Sequence, residues 1–236
     1  RWFPRPAAAG ALLAVLAGTP LLYYTYDAAY MAHAAAACGV AALAWLCVSL
    51  AHRPDPAARR WALAGLVAGL LIPLRYSNVV FLPVLAWPLV VAVRRRPVGR
   101  ALRDIGLAAC VAAVPLALQA LAWQRVYGQP VAWSYGQEAV RWFAPRVAAG
   151  LFSHRHGLFF YAPVTAVALA GAAWLIARGR PVPRALLCAL GGGFVLLTWI
   201  NTAWWSWWFG QGFGARAYGE ATALFVPGLA WMLAAP

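Results

Sequence analysis

Long apolar runs separated by short polar connections fill the chain from one end to the other. Eight such runs stand out, at about 7–24, 34–51, 61–74, 79–93, 104–124, 159–177, 185–200 and 221–236. A helix needs roughly 20 apolar residues to cross a bilayer, and most of the eight approach that length. Lipid offers the backbone no hydrogen-bond partner, so each run is predicted to be helical. The third and fourth are shorter, at about 14–15 residues on that scale, which predicts a recessed turn between them. Gly18-Thr19-Pro20 predicts a kink or an end to the first helix. The expected fold is all-α: a polytopic transmembrane bundle of about eight helices. No polar linker divides it, so residues 1–236 read as a single transmembrane domain.

Composition strengthens the membrane reading. Hydrophobic residues make up 64% of the chain and charged residues only 10%, against about 25% charged in a typical soluble domain. A water-facing surface could not be built from so few charges. The chain opens on Arg1 and stops inside an apolar run, so it reads as the C-terminal part of a longer membrane protein.

Arginine alone supplies the positive charge behind the formal net +14; there is no lysine. A nucleic-acid-binding chain gathers its basic residues on one face. Here they fall in short loops between apolar runs, the pattern of topology signals. Thirteen of the 19 lie in alternate connections, around 1–5, 53–60, 94–103 and 178–184. The positive-inside rule makes those connections cytoplasmic and the others external. The external side then holds 26–33, 75–78, 125–158 and 201–220. The four cysteines, Cys38, Cys47, Cys110 and Cys188, lie inside apolar runs at no metal-binding spacing and read as small buried hydrophobes.

The external connections carry the unusual chemistry. Arg75, in Leu74-Arg75-Tyr76-Ser77-Asn78, sits at the expected recessed turn. A snorkelling arginine is the plain alternative, but an ionisable group at membrane depth points to function. Its planar fork suits a lipid-linked phosphate. The last external loop runs from Trp204 through Trp205, Trp207 and Trp208 to Gly210, Gly212, Gly214 and Arg216. An interfacial aromatic belt explains some of the tryptophans but neither the glycines nor Arg216. Aromatic faces beside an arginine suit a sugar carried on a phosphate.

Ser153-His154-Arg155-His156-Gly157 precedes the sixth run; two histidines at this spacing lack a third metal ligand. Asp27 and His33 bracket the start of the second helix, where Asp27 could act as a cap. With Glu138 and Glu220 they complete the external groups able to take a proton, apart from the histidines of the long loop. No P-loop, dinucleotide-binding glycine pattern or nucleophile elbow occurs.

The strings GTPLLYYTYDAAYMAHA, LAGLVAGLLIPLRYSNVVFLPVL, LFSHRHGLFFYAPV and WWSWWFGQGFGARAY resemble, in that order, the C-terminal half of bacterial GT-C-fold glycosyltransferases of the dolichyl-phosphate-mannose–protein mannosyltransferase-like group. The resemblance implies an inverting transferase of the bacterial inner membrane with an extracytoplasmic active face. Its donor would be a polyprenyl-phosphate sugar and its acceptor an envelope glycan, lipid or protein. Arg75 and Arg216 would face the donor; His33, Asn78, His156, Trp207 and Trp208 would contact substrate. The catalytic acid of such enzymes would precede Arg1, with Asp27 and Glu220 the weaker candidates inside the chain. No metal site or cofactor is assigned to residues 1–236; any divalent metal would belong to the preceding segment. The chain departs from the pattern at Trp205-Ser206, where similar proteins often carry an acid. It departs again at Arg216-Ala217, where they tend to carry two basic residues.

Two other classes fit parts of the pattern. A transporter or flippase of a lipid-linked substrate would place polar groups near mid-membrane, whereas these helix centres are almost free of charge. A non-catalytic membrane scaffold would use the external aromatics to hold a protein.

Overall fold

The structure is a computed structural model that describes residues 2–132, 138–179 and 181–235. Regular structure among these residues is helical. Its α-helices are α1 (Arg5–Gly18), α2 (Leu21–Tyr26), α3 (His33–His52), α4 (Ala58–Leu74), α5 (Ala86–Arg95), α6 (Val98–Tyr127), α7 (Val147–Phe152), α8 (Leu158–Tyr161), α9 (Val164–Arg178), α10 (Arg184–Ala203) and α11 (Thr222–Ala234). Two 3-10 segments, Tyr76–Leu85 and Arg216–Ala221, lead into α5 and α11.

Four helical stretches among the described residues are long and apolar enough to cross a bilayer: His33–His52, Tyr76–Arg95, Val98–Tyr127 and Arg184–Ala203. Only 6% of the most apolar window of α6 is buried inside the protein. Leu107, Val114, Leu118 and Leu121 on this helix are all exposed. Such a surface is stable against lipid and not against water.

The apolar runs map onto helices with informative differences. The first run is two helices, because Thr19 ends α1. Its hydroxyl turns back to the Val15 carbonyl at 2.7 Å, and Pro20 starts α2. The run at 159–177 is likewise divided, with Pro163 opening α9. The expected shortness of the fourth run does not hold. Ser77 and Asn78 belong to the helical stretch, which reaches 20 residues from Tyr76 to Arg95. Asp27 does not cap the second predicted helix. It closes α2 instead, its N–H donating to the Tyr23 carbonyl at 2.9 Å, and α3 begins only at His33.

Packing divides the chain into two compact units, Gly39–Glu138 and the remainder, Arg1–Cys38 with Ala139–Pro236. In the unit 39–138, α4 lies on α6 with backbones in close approach. Gly65 faces Ala108 and Gly69 faces Ala112, so both positions advance together and the helices run parallel. A Cβ at Gly65 would overlap the Ala108 carbonyl, which is backbone and has no rotamer to yield. Gly65→Ala is expected to cost about 1–3 kcal/mol through overpacking. Thermal unfolding in detergent measures this, and an unchanged midpoint would contradict the close approach.

In the other unit α11 packs on α1 and α9, while α10 packs on α7 and α9. The chain after Glu138 is pinned to the end of α10. Arg141 N–H donates to Ala203 O at 2.6 Å, Trp205 N–H to Ala139 O at 3.0 Å, and Arg146 N–H to Thr202 O at 2.9 Å. Buried Asn201 donates from Nδ2 to the Ala217 carbonyl at 3.3 Å, tying the second 3-10 segment beneath α10.

Candidate functional site

Arg216 opens the second 3-10 segment, and the glycine-rich loop before it is shaped around its guanidinium. Nη2 donates to the Phe209 carbonyl at 2.9 Å. Phe209 has φ 60° and Gly210 has φ 68°. A left-handed backbone is strained for a bulky side chain, and here the turn aims the Phe209 carbonyl at Arg216. Gly212 leaves room for the side chain: a Cβ there would overlap the guanidinium and lie 2.9 Å from the Tyr24 hydroxyl. Nη1 lies 3.6 Å from Met31 Sδ. A thioether is a weak acceptor, so an oxyanion would displace it readily.

Beside Arg216 is a second group of polar side chains. His33, at the start of α3, has its Nδ1 3.8 Å from Glu220 Oε1. The His33 side chain is 9% exposed and that of Glu220 wholly buried. Tyr24 holds the imidazole from the other side, with ring centroids 5.0 Å apart. Tyr24 is itself buried, and its hydroxyl donates to the Phe213 carbonyl at 3.2 Å. Tyr24, His33, Leu158, Thr165, Arg216 and Thr222 are among the residues that line one recess. Tyr218 lines it too; burial pushes its hydroxyl up to about 12, with Thr198 pulling the other way. Tyr218 is therefore neutral at ordinary pH.

The arrangement can do two things. A planar guanidinium can turn from sulfur to a phosphate oxygen and make charge-assisted bonds. An imidazole backed by a carboxylate can accept a proton, because the carboxylate stabilises the imidazolium that forms.

Sequence reasoning named Arg216, His33 and Glu220 separately, and the fold brings them into one neighbourhood. Tyr24, Met31 and Phe209 were missed. Tyr24 lies within an apolar run and Met31 is an ordinary hydrophobe by sequence. Phe209 acts through its carbonyl, which no side-chain pattern records.

The other predicted residues are distributed differently. His156 Nδ1 meets the Trp208 carbonyl, and its ring lies 5.5 Å from that of Tyr161. The Arg155 guanidinium stacks 4.2 Å from the centre of the Trp208 ring. These contacts latch the loop before α8 to the tryptophan loop, which gives His156 and Trp208 a structural task. Trp207 is buried, whereas Trp205 and Phe213 are exposed and offer ring faces.

Arg75 and Asn78 belong to the unit 39–138. Arg75 is extended between α4 and the first 3-10 segment, with φ −159°. Asn78 is fully buried, and its Nδ2 donates to the Leu71 carbonyl at 2.9 Å. Asn78 thus shares the Leu71 carbonyl with the N–H of Arg75, the residue that closes α4. Asp27 and Glu138 are exposed. Among the described residues no three histidine, cysteine or acidic side chains gather into a metal-binding group. No known protein family, no curated protein and no solved structure matches the chain.

Proposed function

We propose that this chain is part of a GT-C-like membrane glycosyltransferase that moves a sugar from a polyprenyl-phosphate donor to an extracytoplasmic acceptor. The observation that carries the reading is the sharing of one recess by Arg216, weakly engaged at Nη1, and His33, backed by the enclosed Glu220. In the reaction the bond from sugar C1 to the phosphate oxygen breaks, and the acceptor oxygen bonds to C1. Arg216 stabilises the charge gathering on the departing phosphate. The acceptor's proton needs a base; the family resemblance places a carboxylate ahead of Arg1 for this. Within the chain, the His33–Glu220 pair beside Arg216 is the best-placed alternative. Exposed Trp205 and Phe213 supply faces for a sugar ring. This reading also takes the eight apolar runs as spans and the tryptophan loop as external, on a bacterial inner membrane, and keeps Arg75 of the unit 39–138 as a separate candidate for a phosphate contact.

The test is transfer of labelled sugar from polyprenyl phosphate by the full-length protein, compared with Arg75→Ala and Arg216→Ala. Full activity in both variants removes the site assignment. Movement of the labelled lipid across sealed vesicles without covalent change would instead make the protein a flippase.

A further inference from the structure

The residues 53–60 and 94–104 hold eight arginines and only two carboxylates, Asp55 and Asp104. Parallel packing of α4 on α6 puts the beginnings of both helices, near Arg59 and Arg100, at one end of the unit 39–138. Arg96 joins that end to its surroundings. Its Nη2 donates to Asp104 Oδ2 at 2.8 Å on α6, and to Asp55 Oδ1 at 2.9 Å in the connection between α3 and α4. Arg103 donates to Asp104 Oδ1 from Nε at 3.0 Å and from Nη2 at 2.8 Å. Both carboxylates are thus already committed. The end keeps an excess of six positive charges, and Arg53, Arg59, Arg94, Arg95, Arg100 and Arg103 are exposed. Three stretches long and apolar enough to cross a bilayer meet it: His33–His52 and Tyr76–Arg95 end there, and Val98–Tyr127 begins there.

We infer that this arginine-rich end is a binding surface for anionic phospholipid headgroups. With the three stretches in a bilayer, the arginines lie at headgroup depth. Exposed guanidiniums then meet lipid phosphates as paired, charge-assisted donors. The close packing of α4 on α6 holds the two helix starts together, and the buried Arg96–Asp104 bond fixes the end of α5 against α6, so the surface is preformed. Clusters of four to eight basic residues beside a span attract anionic lipid additively, and the attraction weakens as salt rises.

The experiment uses the full-length protein in nanodiscs of phosphatidylcholine alone or with phosphatidylglycerol added. Native mass spectrometry counts retained lipids, and thermal unfolding at low and high salt measures their effect. The wild type is expected to retain phosphatidylglycerol and to gain thermal stability from it at low salt. Arg59→Gln/Arg94→Gln/Arg100→Gln is expected to bind it on the order of 10-fold or more weakly. Arg125→Gln, in the last turn of α6, should bind as wild type does. If the triple glutamine variant does not fold, the corresponding triple lysine variant replaces it. Lysine retains the charge without the fork and should still prefer phosphatidylglycerol, though less strongly than arginine. Equal retention of both lipids by the wild type overturns the inference. So does undiminished phosphatidylglycerol binding by the glutamine variant, or loss of the preference in the lysine variant.

Discussion

Arg216→Ala is expected to lower sugar transfer by roughly 10²–10³-fold, the usual cost of losing one preorganised donor to a developing oxyanion. The loss should appear mainly in kcat, because the charge on the departing phosphate grows as the sugar–oxygen bond breaks. Arg216→Lys should recover only part of it, since an ammonium lacks the planar fork. Gly212→Ala tests the same site from the other side. Its methyl group would overlap the guanidinium, and a displacement of about 1 Å can cost on the order of 10²-fold. Thermal unfolding of each variant separates a lost contact from a lost fold. An Arg216→Ala enzyme that folds and transfers at the wild-type rate would remove Arg216 from the chemistry.

Asp104→Ala is expected to destabilise the protein by about 3–5 kcal/mol, the cost of leaving a buried charge without its partner. The Arg96 side chain is 5% exposed and that of Asp104 1%. Arg96 Nε and Nη1 are buried with no hydrogen-bond partner among the described residues, so its guanidinium depends heavily on this carboxylate. Asp55 touches the same Nη2 but is 64% exposed. Water screens that contact, and Asp55→Ala should cost about 1 kcal/mol or less. Arg96→Met/Asp104→Leu should recover most of the loss, because an apolar pair avoids the desolvation cost. Unfolding midpoints of the three variants, set against the wild type, decide the matter. Equal effects of Asp55→Ala and Asp104→Ala would contradict the ranking by burial.

What could be read from the sequence follows from which interactions are local. Apolar runs locate helices because burial in lipid is a property of each residue. Runs at 34–51 and 185–200 therefore match α3 and α10 closely. Asp104 shows the limit. It reads as the polar edge of a run, yet Arg96 neutralises it inside a helix that begins at Val98. Run lengths counted by hydropathy miss residues such as Asn78, which a helix end holds by a hydrogen bond. Arg216 and Glu220 were legible as rare polar groups in an apolar chain. Their association with His33 was not, because it depends on contacts between α2, the start of α3 and a segment almost 190 residues later.

The 3-10 winding of Tyr76–Leu85 has a consequence for reach. A 3-10 helix rises about 2.0 Å per residue and an α-helix about 1.5 Å. Laid end to end, this ten-residue piece and the ten residues of α5 extend about 35 Å on those figures, where 20 residues of continuous α-helix would extend about 30 Å. Tighter winding thus lengthens the stretch by nearly one helical turn, and sets Arg75 that much farther along the axis from Arg94 and Arg95.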